Sequence, residues 1–202
     1  MFLKSPPALF LASTSSYRRQ LLARVHNCFK CQAPGVDETR RDDETGLALV
    51  TRLALAKARS VAEQHPDAWV IGSDQVAALL DGSGHQMILG KPGTAGRCIE
   101  QLRLCSGKTL AFLTAVAVVR ESDERSFQFV DTTRVIFRVL DQETIERYVA
   151  HESPLDCAGG FKSEGLGISL CESIDGTDPT ALIGLPLIRL CEVLREVGFE
   201  LP

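Results

Sequence analysis

Two arginines directly behind a run of hydroxyls are the first residues in this chain able to do chemistry. Ser13-Thr14-Ser15-Ser16-Tyr17-Arg18-Arg19 follows a short apolar run and opens a segment of helical spacing. A helix start presents free backbone N–H groups and the positive end of the helix dipole. Adding two guanidinium forks makes a place for phosphate oxygens, because each fork donates in pairs. The same residues also read as an ordinary N-cap with two surface arginines, and on this motif alone that plainer reading is slightly ahead.

The carboxylates come next. Asp37 and Glu38 lie in a polar stretch, and Asp74 follows the apolar run Val70-Ile71-Gly72. We expect Asp74 at the end of a strand, flanked by small residues, where a metal ligand or general base is often found. Magnesium sites use one or two protein carboxylates and complete their shell with phosphate oxygens and water. Glu38 and Asp74 suffice for such a site, whereas Asp37 reads as a solvated loop acid. Lys57, in an apolar part of the longest helix candidate, and Lys91, in a Gly-Lys-Pro turn, could neutralise triphosphate charge. The plainer alternative for a helical lysine is snorkelling from the surface. Residues 156–165 form a loop too rich in glycine to be read as packing alone, and such loops commonly contribute to binding sites. No Walker A or G-x-G-x-x-G pattern is present, and no two histidines have ligand spacing.

The elements that must hold these residues follow from periodicity. Residues 7–12 read as a buried strand, 17–25 as a helix burying Leu21, Leu22 and Val25, and 29–33 as a strand. A helix over 45–64 has Leu49, Leu53, Ala56 and Ser60 on one face and is closed by Pro66. Strands are expected over 68–72 and 76–80, with a turn at Asp81-Gly82-Ser83-Gly84. A helix over 94–104 precedes two long β-rich stretches, 109–119 and 126–139, joined by a charged turn. Helices over 141–149, capped by Asp141, and 185–197 complete the pattern. The fold class is α/β, one domain over 1–202, with two lobes around a central nucleotide-binding cleft.

Bulk properties set the limits. The 202 residues carry 45% hydrophobic side chains and a net charge of −4, which supports a normal core and argues against nucleic-acid or membrane-surface partners. The longest apolar run, 110–119, is far shorter than the ~20 residues of a membrane span. The apolar N-terminus lacks the basic start and cleavage site of a signal peptide. Seven scattered cysteines fit a reducing cytoplasm. Cys28 and Cys31, a C-x-x-C on an expected strand, read as buried strand residues, with a redox or metal role the minor alternative.

Taken together and in order, these pieces resemble the Maf family of nucleotide pyrophosphatases. The resemblance rests on residues 11–19, Val36-Asp37-Glu38-Thr39, Ala56-Lys57-Ala58, Ile71-Gly72-Ser73-Asp74-Gln75, Gly90-Lys91-Pro92, the loop to Gly165, and Gly184-Leu185-Pro186. It implies a fold related to inosine triphosphate pyrophosphatases, usually a cytoplasmic homodimer. It also implies hydrolysis of a nucleoside triphosphate between the α and β phosphates with a divalent cation, Mg²⁺ or Mn²⁺. Asp74 then matches the proposed general base and Glu38 the second acidic position. Ser13, Arg18 and Arg19 match the phosphate-binding turn, and Lys57 and Lys91 the motif lysines. Tyr17, Gln75 and Glu164 stand where members acting on dTTP and UTP typically have other residues, and they look like the subgroup preferring 7-methyl-GTP. Cys157, where many members have Lys, and Ser16, where Pro is common, also depart without removing a catalytic group.

That substrate has its own chemical logic. N7-methylation makes the guanine cationic; Glu164 could accept from its N1–H and amine, and Tyr17 could stack on it. Other readings are a UTP, CTP or dTTP pyrophosphatase, which differs only in the base pocket, or a non-catalytic nucleotide-binding regulator of cell division. A thiol redox protein built on Cys28 and Cys31 has less to recommend it.

Overall fold

The computed structural model describes residues 7–80 and 86–201. The turn read at 81–84, and the first six residues of the N-terminal segment, lie outside the described residues. Two compact units are built from interleaved stretches of chain: residues 1–74, 114–130 and 184–202 form one, and 75–113 and 131–183 the other.

Among the described residues, seven strands and five α-helices follow one another along the chain. The strands are β1 (Leu9–Leu11), β2 (Lys30–Cys31), β3 (Trp69–Leu80), β4 (Gln86–Leu89), β5 (Thr109–Arg120), β6 (Arg125–Phe137) and β7 (Cys171–Asp175). The helices are α1 (Ser16–Val25), α2 (Gly46–Ala62), α3 (Ala95–Cys105), α4 (Gln142–Glu152) and α5 (Leu187–Glu196). Hydrogen-bonded neighbours follow the order β2-β1-β3-β5-β6-β7, with β4 on β3, in one mixed sheet. Strands β3, β5 and β6 each contribute one part to either unit.

In the first unit β1 pairs parallel with both β2 and β3, and Leu9, Phe10 and Leu11 are buried between them. Successive side chains of a strand point to opposite faces, so three buried in a row mean that both faces are covered, which is why the sequence is continuously apolar. Thr45 caps α2 through Ala48 N at 3.2 Å. The helix buries Leu49, Val50, Leu53, Ala54, Lys57, Ala58, Val61 and Ala62. The apolar stripe is therefore rotated from the expected one: Ala56 and Ser60 fall at its margin and Ala54, Lys57 and Ala58 take the inner positions. Each fully buried leucine there contributes about 1.5–3 kcal/mol.

In the second unit β3 pairs antiparallel with β4, and β6 with β7. The four residues between β5 and β6 are too few for a crossover, so those neighbours run antiparallel. Its core gathers Leu79, Leu102, Leu110, Phe112, Phe137, Ile145, Tyr148 and Phe161. Asp141 caps α4 by accepting from Thr144 N at 2.7 Å, as its sequence position requires.

Three expectations are corrected. Strands 68–72 and 76–80 are one strand, so Asp74 lies inside β3 and not at a strand's end. Cys28 and Cys31 are exposed: Cys28 lies outside any strand, and Cys31 is on β2, which has only two residues and lies at the outer end of the sheet order. Strands β4 and β7 were not foreseen; β7 is short and mostly exposed, and β4 follows directly on the stretch read as a turn. Among the described residues no helix is long and apolar enough to cross a membrane.

Candidate functional site

The first unit draws four charged side chains together, beginning with a glycine. A Cβ on Gly72 would lie 2.2 Å from the Ala54 carbonyl oxygen and 2.6 Å from Ala58 N. Only hydrogen fits there, and its absence of bulk lets the backbone of α2 seat directly on β3. Lys57, between those two contacts along the helix, is thereby turned inward and is 5% exposed. Its ammonium lies 2.7 Å from Asp74 Oδ1 and 2.8 Å from Glu38 Oε1. Snorkelling is ruled out by that burial. A buried ammonium persists only with such partners, because desolvation otherwise removes its proton.

Glu38 reaches Lys57 from the loop before α2, and that loop is tied down at several points. Glu44 takes the Arg52 guanidinium in a fork at 2.7 and 2.8 Å and accepts from Arg41 N at 3.1 Å. Arg52 Nη2 also donates to Thr39 O at 3.1 Å, and Ser60 Oγ to Pro34 O at 2.6 Å. The Arg52 hydrogen bonds hold the Glu44 carboxyl down to about 2. Asp37 caps its own turn through Thr39 N at 2.9 Å, in keeping with its reading as a structural loop acid. Glu38 itself is 58% exposed at its side chain. An open carboxylate and a buried one thus share a single lysine.

Burial dominates at Asp74. It raises the carboxyl above its ordinary value; Lys57, by charge and hydrogen bond, and then Arg18 draw it back, while Glu38 pushes it further up. A carboxylate lifted by desolvation next to fixed cations is poised to exchange a proton.

Arg18 enters from α1. Ser15 caps that helix by accepting from Arg18 N at 3.3 Å, and Ser13 Oγ accepts from Ser15 N at 3.1 Å. Nε of Arg18 donates to Gly184 O at 3.0 Å, and Ser73 Oγ donates to the same oxygen at 3.0 Å. Burial lowers the Arg18 guanidinium from its ordinary value, and Asp74 and Glu38 oppose that. Arg19 is exposed and, with residues 13–16 and 31–33, lines a recess of about 220 Å³. Tyr17 is half-buried on α1. Ser13, Arg18, Arg19, Glu38, Lys57 and Asp74, read separately from sequence, therefore all belong to this unit.

The remaining residues singled out from sequence lie in the second unit. Gln75 Nε2 donates to Ala181 O and Leu182 O, both at 3.0 Å, and so holds the 3₁₀ turn Ala181–Ile183. Lys91 is exposed between β4 and α3, and Glu164 is exposed on the glycine-rich loop. That loop corrects another expectation, because packing does account for its glycines. A Cβ at Gly165 would lie 2.4 Å from the Glu152 carboxylate, and one at Gly160 would lie 2.5 Å from Cys98 Sγ. Glu152 needs that closeness: it accepts from Lys162 Nζ at 2.6 Å and from Leu166 N at 2.7 Å. Tyr148 Oη donates to Gly160 O at 3.2 Å and accepts from Lys162 N at 3.0 Å.

Sequence reading quoted Gly72, Ser73 and Gly184 within the motifs but gave them no role, and it missed the Glu44–Arg52 clamp. Ser73 and Gly184 are 111 positions apart, so no local spacing could join them. For Glu44 and Arg52 a signal existed, an acid and an arginine flanking the first turns of a helix.

Residues 8–197 match the family model described as Maf-like protein. A protein of Pseudomonas savastanoi pv. phaseolicola, named 7-methyl-GTP pyrophosphatase, is 51% identical over 197 residues, covering 97% of this chain and 100% of that protein. Proteins of the same name from Xanthomonas axonopodis pv. citri and Pseudomonas aeruginosa are 53% and 50% identical over 196 residues, each covering 97% of this chain and 100% of the relative. The structure of the Staphylococcus aureus Ham1 protein aligns with 64% of this chain and 71% of its own, at 15% identity and a TM-score of 0.47, too loosely to bear on the fold. A match across nearly the whole chain, with relatives half identical from end to end, settles the lineage: this chain belongs to the Maf family.

Proposed function

We propose that this protein hydrolyses nucleoside triphosphates to the monophosphate and pyrophosphate, and that 7-methyl-GTP is its preferred substrate. The observation that carries the reaction is the pairing of Lys57 with both Glu38 and Asp74 at 2.8 and 2.7 Å. The preference is supported by the name its half-identical relatives bear. Tyr17, Gln75 and Glu164 support it by their chemistry alone, since a carboxylate answers the N1–H and amine of a cationic guanine.

Glu38 and Asp74 reach the same ammonium, so their carboxylates lie close together, and such a hard oxygen donor pair fits a divalent cation of the Mg²⁺ or Mn²⁺ type that completes its shell with phosphate oxygens. Among the described residues no group of three or more His, Cys, Asp and Glu is gathered, so the reading rests on these two carboxylates. Glu38 and Asp74 would hold the cation, which when bound neutralises charge on the triphosphate. Asp74 orients the attacking water and accepts its proton. As the new bond to the α-phosphorus forms, the bond to the α–β bridging oxygen breaks and pyrophosphate departs. Lys57 holds Asp74 in place and favours its ionised form against the burial that disfavours it. Arg18 and Arg19 counter the charge of the phosphates, with Ser13 fixing the turn that carries them; Lys91 is given a charge-countering part on its motif alone. Reactions of this type depend mainly on position and charge.

The test is pyrophosphate release by purified protein with Mg²⁺ or Mn²⁺ across 7-methyl-GTP, GTP, UTP, CTP and dTTP. We expect 7-methyl-GTP well ahead of GTP. Preference for a pyrimidine triphosphate keeps the mechanism and removes the role given to Glu164 and Tyr17. Binding without turnover puts the regulator in place of the enzyme. Within an active enzyme, Glu164→Gln should lower the ratio of 7-methyl-GTP to UTP turnover by roughly tenfold, the scale of one charged hydrogen bond; an unchanged ratio removes Glu164 from base recognition. The single-domain reading over 1–202, the cytoplasmic homodimer and the lack of nucleic-acid or membrane partners belong to the same proposal. Light scattering on a sizing column checks the dimer.

A further inference from the structure

Gly184 lies far from the charged centre in sequence, and its carbonyl oxygen is used twice. Arg18 Nε and Ser73 Oγ both donate to it, each at 3.0 Å. A carbonyl has two lone pairs, so both bonds can be made at once. Ser73 is fully buried in β3, one residue before Asp74. The backbone at Gly184 also lies along the arginine: a Cβ there would be 3.4 Å from Nε, 3.7 Å from Cγ and 3.9 Å from Nη2. Its φ of +121° is one that residues with side chains rarely adopt.

The arginine is therefore gripped at Nε, partway along its side chain. Among the described residues its Nη groups make no hydrogen bond. The charges of Asp74 and Glu38 nevertheless act on Arg18, as they do on Lys57. A fork held by its stem, with both tines unspent, is preorganised for an anion, because its rotamer freedom is already lost before the ligand arrives.

We propose that Ser73 and the Gly184 carbonyl are positioning residues for Arg18: the serine hydroxyl aims the carbonyl, the carbonyl fixes Nε, and the two Nη groups are left for the phosphate oxygens of the substrate. This rests on the triphosphate reading above but goes beyond it, since neither residue touches the substrate. It also explains why a polar side chain is tolerated in the fully buried middle of β3. The same carbonyl stays hydrogen-bonded to Arg18 when the serine hydroxyl is removed, so Ser73→Ala leaves no orphaned acceptor and should fold.

The test is a double-mutant cycle of Ser73→Ala and Arg18→Lys. Lysine keeps the charge at position 18 and loses the Nε that the carbonyl grips. Ser73→Ala alone should lower kcat/KM by roughly tenfold, the scale of a misplaced positioning group. In the Arg18→Lys background the same change should have no further effect. Equal losses in both backgrounds, or no loss in either, overturn the proposal, and a purely structural serine gives the first of these. The cycle is repeated on binding of inorganic pyrophosphate by calorimetry, which needs no turnover. Coupling there in a protein that cleaves no triphosphate refutes the reaction and retains the positioning. Additive binding losses in an active enzyme do the reverse.

Discussion

Each unit of this protein contains a lysine set against carboxylate, and the two pairs are tuned in opposite directions. In the second unit Lys162 meets Glu152 at 2.6 Å, and Leu166 N donates to the other oxygen at 2.7 Å. Those bonds hold the Glu152 carboxyl below its ordinary value, and the loop 162–167 is pinned by them. In the first unit Lys57 meets Asp74 at 2.7 Å, yet Asp74 is raised, because burial outweighs the lysine and Arg18 together. A fully bonded, partly hydrated carboxylate is an anchor. A desolvated one held beside cations is strained, and strain of that kind is retained where chemistry needs it.

The sharpest way to break the comparison is Asp74→Asn, which keeps the shape and removes the charge. Turnover should fall by roughly 10³-fold, the reach of a general base, and steady-state pyrophosphate release measures it; near-normal kcat would place Asp74 with the anchors. Next come matched lysine replacements. Lys57→Met should cost roughly 10²-fold in kcat/KM, as expected for a lost charge-stabilising group. Lys162→Met should leave kcat/KM within about twofold and lower stability by about 1 kcal/mol, read by urea unfolding. Similar kinetic losses in both would erase the distinction between the pairs.

Gly165→Ala tests the anchor by sterics. The added methyl would meet the Glu152 carboxylate, and either the loop or the Lys162 pair must give way, at about 1–3 kcal/mol of stability. An unchanged unfolding midpoint would mean the loop is not held as described.

The smallest effect is in pH dependence, and its sign differs between the centres. Glu152 is lowered from 4.5, so its contribution to stability is present above that value and lost as pH falls through the folded pKa. Asp74 is raised from 3.8, so its contribution is present below that value and lost as pH rises through the folded pKa. In metal-free protein, Glu152→Gln should flatten the loss of urea stability on acidification, and Asp74→Asn should steepen it. The same slope change from both would contradict the opposite tuning.

Much of this was legible in the chain itself. The hydroxyl run before Arg18 marked a helix start, and Ser15 does cap α1. Thr45, Asp141 and the breaker-rich stretch around Pro92 placed three more helix boundaries to within a residue or two. The strand at 9–11 and the long pair β5 and β6 were plain from apolar content. Reading failed where a residue's burial depends on a remote partner. Asp74 looked like a strand end because a charge inside a strand is costly, until Lys57 and Arg18 are brought near it. Cys31 looked buried because its neighbours are β-formers, yet its strand has only two residues and nothing covers it. The glycine loop looked too rich for packing alone because glycine content does not say what stands opposite each missing side chain.

The sequence by itself determined the lineage, the alternation of helix and strand, and the identity of the charged groups, since these depend on residue type and near-neighbour spacing. Only the tertiary structure decided which of those groups meet. That the lysine of α2 faces inward depends on Gly72 admitting a helix backbone, and the grip on Arg18 depends on a carbonyl 166 positions away. Contacts across such separations are set by packing, which no local pattern encodes.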